Sequence, residues 1–250
     1  MKKLKAVFWD VDGTIAETEL YGHRVAFNNS FAQEGLNWDW DIETYIHLLK
    51  IQGGKNRIKH YANSLKYKID DKEINKLHFL KQDFYHKQVL NGDVTLRPGV
   101  LRLINELSNN TIKQFIVTTS GKSAVKHLIS KLFNDNESPF SSYITYEDVI
   151  NHKPFADAYL KAIHLSKESE ENILVIEDSI AGYSSACRAN IPCLITPPEW
   201  SQFNNTSMPE AKAVTNHLGE INNRCEVLQG LPCKDGIVTL EYLENLINLD

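Results

Sequence analysis

A chain of 250 residues can form one large domain, or a main domain carrying a smaller insert. Hydrophobic residues make up 42% and charged residues 24%, the proportions of an ordinary soluble globular protein. The formal net charge of −5 argues against nucleic acid as a partner, so any site for an anion must gather its positive charge locally. The four cysteines, Cys187, Cys193, Cys225 and Cys233, form no CxxC pair, and no histidine cluster accompanies them. Reduced thiols are therefore expected, in place of a disulfide framework or a zinc site. The apolar stretch between Met1-Lys2-Lys3 and Asp10 is too short for a signal sequence or a membrane span. A cytoplasmic protein with no membrane partner is expected, so the Asn205-Thr206-Ser207 triplet carries no weight as a glycosylation site.

In chain order, the first strand is expected over Ala6 to Trp9, running directly into Asp10, Asp12 and Gly13. From Glu19 to Asp93 there is no good strand candidate. Amphipathic patterns predict helices over His23–Glu34, Ile42–Leu49, Lys55–Leu65 and Lys72–Leu90. The α/β rhythm resumes at "LRPGVLRLINEL", Leu96 to Leu107, where Pro98 suits the first turn of a helix. Strands are then expected at Phe115–Val117, Ile173–Ile176 and Cys193–Ile195, with helices over Lys122–Phe133, Phe155–Leu165 and Ile180–Ala189. This alternation predicts βαβ units and a parallel sheet covered on both faces. The expected organisation is a discontinuous α/β core, residues 1–18 and 94–250, with a helical insert over residues 19–93. The segment from Thr196 to Leu231 shows no chemistry.

Four stretches carry reactive groups at strand ends, where ligands bind in such sheets. Asp10 and Asp12 share one side of an extended chain, and two adjacent carboxylates demand either a proton or a cation, for which hard oxygen donors favour Mg²⁺. "FIVTTSGKS" ends a strand in Thr118, Thr119 and Ser120 before a helix, a place where hydroxyls and backbone N–H groups can cradle an anion. In "NHKPFADAYLKAI", Lys153 stands before Pro154, itself expected in a helix's first turn. A cation is oddly placed there unless it faces an anion. "ENILVIEDSIAGYSSA" ends a buried strand in Glu177 and Asp178, so two acidic pairs could meet around one metal ion. Each signal alone also fits a plainer reading, such as a solvated turn, an N-cap or a surface lysine.

Together and in this order the four stretches resemble motifs one to four of the haloacid dehalogenase superfamily of phosphotransferases. The resemblance spans nearly the whole chain and implies a Rossmann-like core with an inserted helical cap. It implies Asp10 as nucleophile, Asp12 as general acid and base, and Thr118 and Lys153 as catalytic partners. Thr119 and Ser120 would then bind the phosphate. Asp10, Asp12, Glu177 and Asp178 would hold Mg²⁺, with Asp178 preferred over Glu177 as a direct ligand. An acid/base at Asp12 and a metal set the chain apart from the dehalogenases that name the superfamily.

The insert supplies the local positive charge. "LLKIQGGKNRIKHYA" places Gly53 and Gly54 before Lys55, Arg57 and Lys59, a pattern suited to a second phosphate. Glu19 and His23 follow closely on the catalytic strand and are expected to overhang the active site. With "DVDGTIAETE", "GHRVAFNNSF" and "LRPGV", this insert resembles the CbbY family of xylulose-1,5-bisphosphate phosphatases, which return xylulose 5-phosphate to the Calvin cycle. The resemblance implies that Glu19, Gly54, Lys55 and Arg57, with His23 nearby, contact a small sugar bisphosphate. The chain is expected to act as a monomer. The alternatives are a phosphoglycolate phosphatase or a β-phosphoglucomutase-like enzyme, and more remotely a non-catalytic sensor of sugar bisphosphates.

Overall fold

A computed structural model describes residues 2–51, 53–133, 138–201 and 208–249; the Asn205 triplet lies outside them. The chain divides into two compact units: residues 1–17 with 95–250, and residues 18–94.

The first unit is built on a seven-stranded sheet. Its strands are β1 (Ala6–Trp9), β2 (Lys113–Val117), β3 (Ser142–Ile144), β4 (Ile173–Glu177), β5 (Cys193–Ile195), β6 (Ala213–Thr215) and β7 (Val227–Gly230), in the order β3-β2-β1-β4-β5-β6-β7. All neighbours pair in parallel except β6 and β7, which are antiparallel, so the sheet is mixed at one edge. β1 and β4 lie in the middle, and every residue in them is buried, as expected of central strands with helices on both faces. On one face, Phe8, Val117 and Val175 pack with Tyr159, Ala162 and Ala186 of helices α7 (Asp157–Ser166) and α8 (Ile180–Arg188). Helices α5 (Val100–Asn109) and α9 (Leu240–Ile247) also pack on the sheet, contacting β2 and β4 respectively.

Sequence reading detects the apolar runs AVFW and CLI of β1 and β5 but not β3, β6 and β7, whose stretches SYI, AVT and VLQG each contain a polar residue. Neither proline stands in a helix's first turn. Pro98 precedes Gly99, which caps α5 with φ +85°, and Pro154 sits in a turn ahead of Ala156, the cap of α7.

The second unit contains a π-turn over Glu19–His23 and helices α1 (Arg24–Gln33), α2 (Ile42–Leu49), α3 (Gly54–Ser64) and α4 (Asp71–Asn91). Asp41 and Asp70 cap α2 and α4 by accepting from Thr44 N and Glu73 N at 2.7 and 2.8 Å. α1 packs on α4 and α3 bridges α4 and α2, around an aromatic core in which the Phe27 and Phe31 rings lie 4.6 and 4.9 Å from Trp40. Among the described residues no helix is long and apolar enough to cross a membrane.

Candidate active site

Asp10 extends β1 by donating its backbone N–H to Ile176 O at 3.0 Å, and its carboxylate meets Lys153 there. Lys153 Nζ donates to Asp10 Oδ1 at 2.7 Å, to the Val117 carbonyl at 2.7 Å and to Glu177. The lysine thus faces two protein carboxylates, one at the end of β1 and one at the end of β4. Tyr159 OH donates to Glu177 at 2.9 Å, and the Lys153 ammonium stands 5.2 Å from the Tyr159 ring centroid. Ser179 Oγ donates to the other Glu177 oxygen at 3.2 Å. Glu177 is entirely buried, and a Cβ on Gly182 would overlap its carboxylate, so α8 can approach it only with glycine there.

Asp10, Glu177 and Asp178 each offer a carboxylate oxygen within 4.8 Å of the others. Burial pushes the Asp10 carboxyl up to about 8; Lys153 pulls against this, while Glu177 and Asp12 add to it. Burial also raises Asp178 well above the usual carboxylate range, helped by Asp10 and Glu177 and opposed by Arg97 and Lys153. Burial acts to lower the Lys153 pKa, but the charges of Asp10 and Glu177 outweigh it and raise the pKa. Three crowded carboxyl groups with one ammonium lack the counter-charge to ionise together, and the set of oxygen donors fits a hard divalent cation.

The other expected residues fall differently. Asp12 stands outside the three-carboxylate group, and its Oδ2 accepts from Ser120 Oγ. Thr118 is buried, and its hydroxyl accepts from Ser120 N at 3.1 Å. Lys122 N, at the start of α6 (Lys122–Leu132), donates to Glu147 at 2.9 Å. Ser120 N and Lys122 N are therefore both engaged within the protein. Thr119 is exposed in the same loop.

In the helical unit, Tyr45 OH donates to Glu19, and the Arg57 guanidinium lies 5.9 Å from the centroid of the same ring while its Nε donates to Ile51 O at 2.9 Å. His23 Nδ1 is 3.0 Å from Lys81 Nζ, which also lies over Phe27 and Tyr85, each 5.2 Å from the ring centroid. A Cβ on Gly54 would stand 3.0 Å from His78 and Phe27, and Lys55 is exposed on α3. Tyr45, His78 and Lys81 were not singled out from sequence. Lys81 does carry a legible signal: it falls on the buried stripe Ile74, Leu77, Lys81, Tyr85 of α4, where a lysine needs a reason.

Burial, followed by Lys81, Lys55 and His23, lowers the His78 pKa to about 4. The folded protein keeps this imidazole neutral while the unfolded chain takes up a proton near pH 6.5, so its contribution to stability is present above 6.5 and is lost as pH falls towards 4. The melting temperature is expected to drop more between pH 7.5 and 5 in the parent than in His78→Gln. Equal drops in both would remove His78 as the cause.

The family model for haloacid dehalogenase-like hydrolases matches residues 7–196. The chain belongs to that family. It is 36% identical to Protein CbbY of Rhodobacter capsulatus over 206 residues, covering 82% of this chain and 90% of the relative. It is 30% identical to a CBBY-like protein of Arabidopsis thaliana, covering 86% and 69%. The crystal structure of CbbY from Rhodobacter sphaeroides in complex with xylulose-(1,5)bisphosphate superposes with a TM-score of 0.77 at 30% identity, over 87% of this chain and 96% of that one. Within the haloacid dehalogenase-like hydrolases the chain is a phosphatase of the CbbY type.

Proposed function

We propose that this phosphatase hydrolyses a sugar bisphosphate, xylulose 1,5-bisphosphate, to xylulose 5-phosphate through an aspartyl-phosphate on Asp10. The observation that carries the reading is the buried Asp10–Lys153–Glu177 constellation beside Asp178, in a chain similar to a protein crystallised with that bisphosphate. Asp10 and Asp178 would hold Mg²⁺, with Glu177 completing the group. When bound, Mg²⁺ supplies the counter-charge that offsets the phosphate and keeps the crowded carboxylates ionised.

The chain's own residues divide the remaining work. Lys153 fixes Asp10 Oδ1 and so aims the carboxylate, which attacks phosphorus as the bond to the sugar oxygen breaks. Asp12, anchored by Ser120, gives a proton to the departing alkoxide and then takes one from the water that cleaves the acyl phosphate. Such acid–base assistance is worth ~10²- to 10⁴-fold. In the helical unit, Glu19, His23, Gly54, Lys55 and Arg57 would recognise the sugar and its second phosphate; their charge and their shared contacts through Tyr45 and His78 support this.

Arg57→Ala is expected to raise the KM for a bisphosphate by ~10- to 100-fold, the worth of a charged hydrogen bond, and that for a monophosphate by far less. An equal loss on both would remove the second phosphate contact. The function itself is tested by Mg²⁺-dependent phosphate release from xylulose 1,5-bisphosphate, ribulose 1,5-bisphosphate, 2-phosphoglycolate and β-glucose 1-phosphate. Selective release from the first supports the proposal. Preference for another substrate, or formation of an isomeric phosphate in place of free phosphate, would overturn it.

A further inference from the structure

Arg97 belongs to none of the four motifs, yet it is only 8% exposed and lies close behind the acidic group. Its backbone N–H donates to Ile15 O at 2.9 Å, next to the bridge between Leu96 and Ala16. The guanidinium donates to the Gly13 carbonyl, to Thr196 O at 2.6 Å and Oγ1 at 3.1 Å, to Pro197 O at 3.2 Å and to Asn216 O at 2.7 Å. These acceptors come from three places: the loop after β1 that carries Asp12, the segment after β5, and the residue after β6. All of them are neutral. Among carboxylates, the charge of Asp178 acts most strongly on the guanidinium, ahead of Glu17 and Glu199.

Gly13 links this clamp to the chemistry. Its φ is +85°, and a Cβ there would overlap the Asp178 carboxylate, so the Gly13 backbone lies directly against Asp178 while its carbonyl is held by Arg97. Thr196 N in turn donates to the Glu177 carbonyl at 2.6 Å, which ties the β5 end of the clamp to the end of β4, where Glu177 and Asp178 stand. A planar fork with five N–H donors can serve so many carbonyls in fixed directions. An ammonium keeps the charge but not the fork.

We propose that Arg97 is a positioning residue for the acidic group: it pins the Gly13 loop against Asp178 and against the ends of β5 and β6, and so sets the carboxylate spacing that receives the metal ion and phosphate. The inference rests on the phosphatase reading of the site. The test compares the parent with Arg97→Lys, which retains the charge, by calorimetric titration with Mg²⁺ and by turnover of p-nitrophenyl phosphate. Mg²⁺ is expected to bind about tenfold more weakly, within the ~10- to 100-fold range for partners that orient metal ligands. The kcat is expected to fall about 10²-fold, the scale of a misplaced reacting group, with substrate KM changed less than about threefold. Unchanged Mg²⁺ affinity and kcat, with only a lower melting temperature, would reduce Arg97 to a brace of the fold and overturn the proposal. Should the lysine variant not fold, Thr196→Val removes one side-chain acceptor of the clamp; a severalfold loss of kcat and Mg²⁺ affinity is expected, and parental values would overturn the proposal. If the parent released no p-nitrophenol, the phosphatase reading would fail while the Mg²⁺ titrations still decided the role of Arg97.

Discussion

Asp10→Asn is expected to lower phosphate release by ~10⁴-fold or more, the scale seen when a nucleophile is removed, and to leave a folded protein. An amide has no charge with which to attack phosphorus, so no aspartyl-phosphate can form. The fold should tolerate the change because Asp10 is buried among like charges: burial, Glu177 and Asp12 all act against its ionised form. Lys153 retains Glu177 as a partner in the variant. Urea unfolding should therefore give a stability within ~1 kcal/mol of the parent or above it, since a carboxyl whose pKa is raised by folding costs stability at neutral pH. Phosphatase activity above about a hundredth of the parent's would rule out Asp10 as the nucleophile.

The second large effect is expected at Lys153. Its side chain is 5% exposed and lies between Asp10 and Glu177, whose side chains are 10% and 0% exposed. Lys153→Met keeps the length of the side chain and removes the charge. Two buried carboxylates then lose their shared counter-ion, and Val117 O loses its donor. Breaking a buried ion pair from one side costs about 3–5 kcal/mol, a large part of a domain's stability. Urea unfolding at pH 7 should show that loss, accompanied by loss of turnover. A variant within ~1 kcal/mol of the parent would mean that the acids hold protons of their own and that the pairing contributes little.

The two losses differ in kind, and their difference bears on what a sequence can reveal. Asp10 was legible because a buried apolar run ending in acids has few physical outcomes, and the strand ends there as expected. Lys153 was legible as a misplaced cation before a helix. What it faces, Glu177 as well as Asp10, depends on β4 pairing with β1 across more than 160 residues of chain, a register no local pattern encodes. Asp12 shows the same. Spacing placed it beside Asp10, and the hydroxyl its carboxylate accepts from lies in the loop after β2, a partner no local pattern names. Glu147, from a short turn after β3, likewise accepts from Lys122 N at the start of α6, a contact no local pattern encodes.

By itself the sequence determined the mostly parallel α/β class, the helical character of residues 19–93, which acids stand at strand ends, and which lysine precedes a helix. These follow from hydrophobic periodicity and from residue type, both local properties of the chain. Only the tertiary structure decided which of those groups touch. It added Tyr159 and Gly182 around Glu177, Lys81 beside His23, and Arg97 behind Gly13. It also brought the ends of β5 and β6 to Arg97, where the carbonyls of Thr196, Pro197 and Asn216 are acceptors. The physical reason is that backbone carbonyls are the same at every position, so which of them a buried guanidinium finds is settled by how the strands assemble.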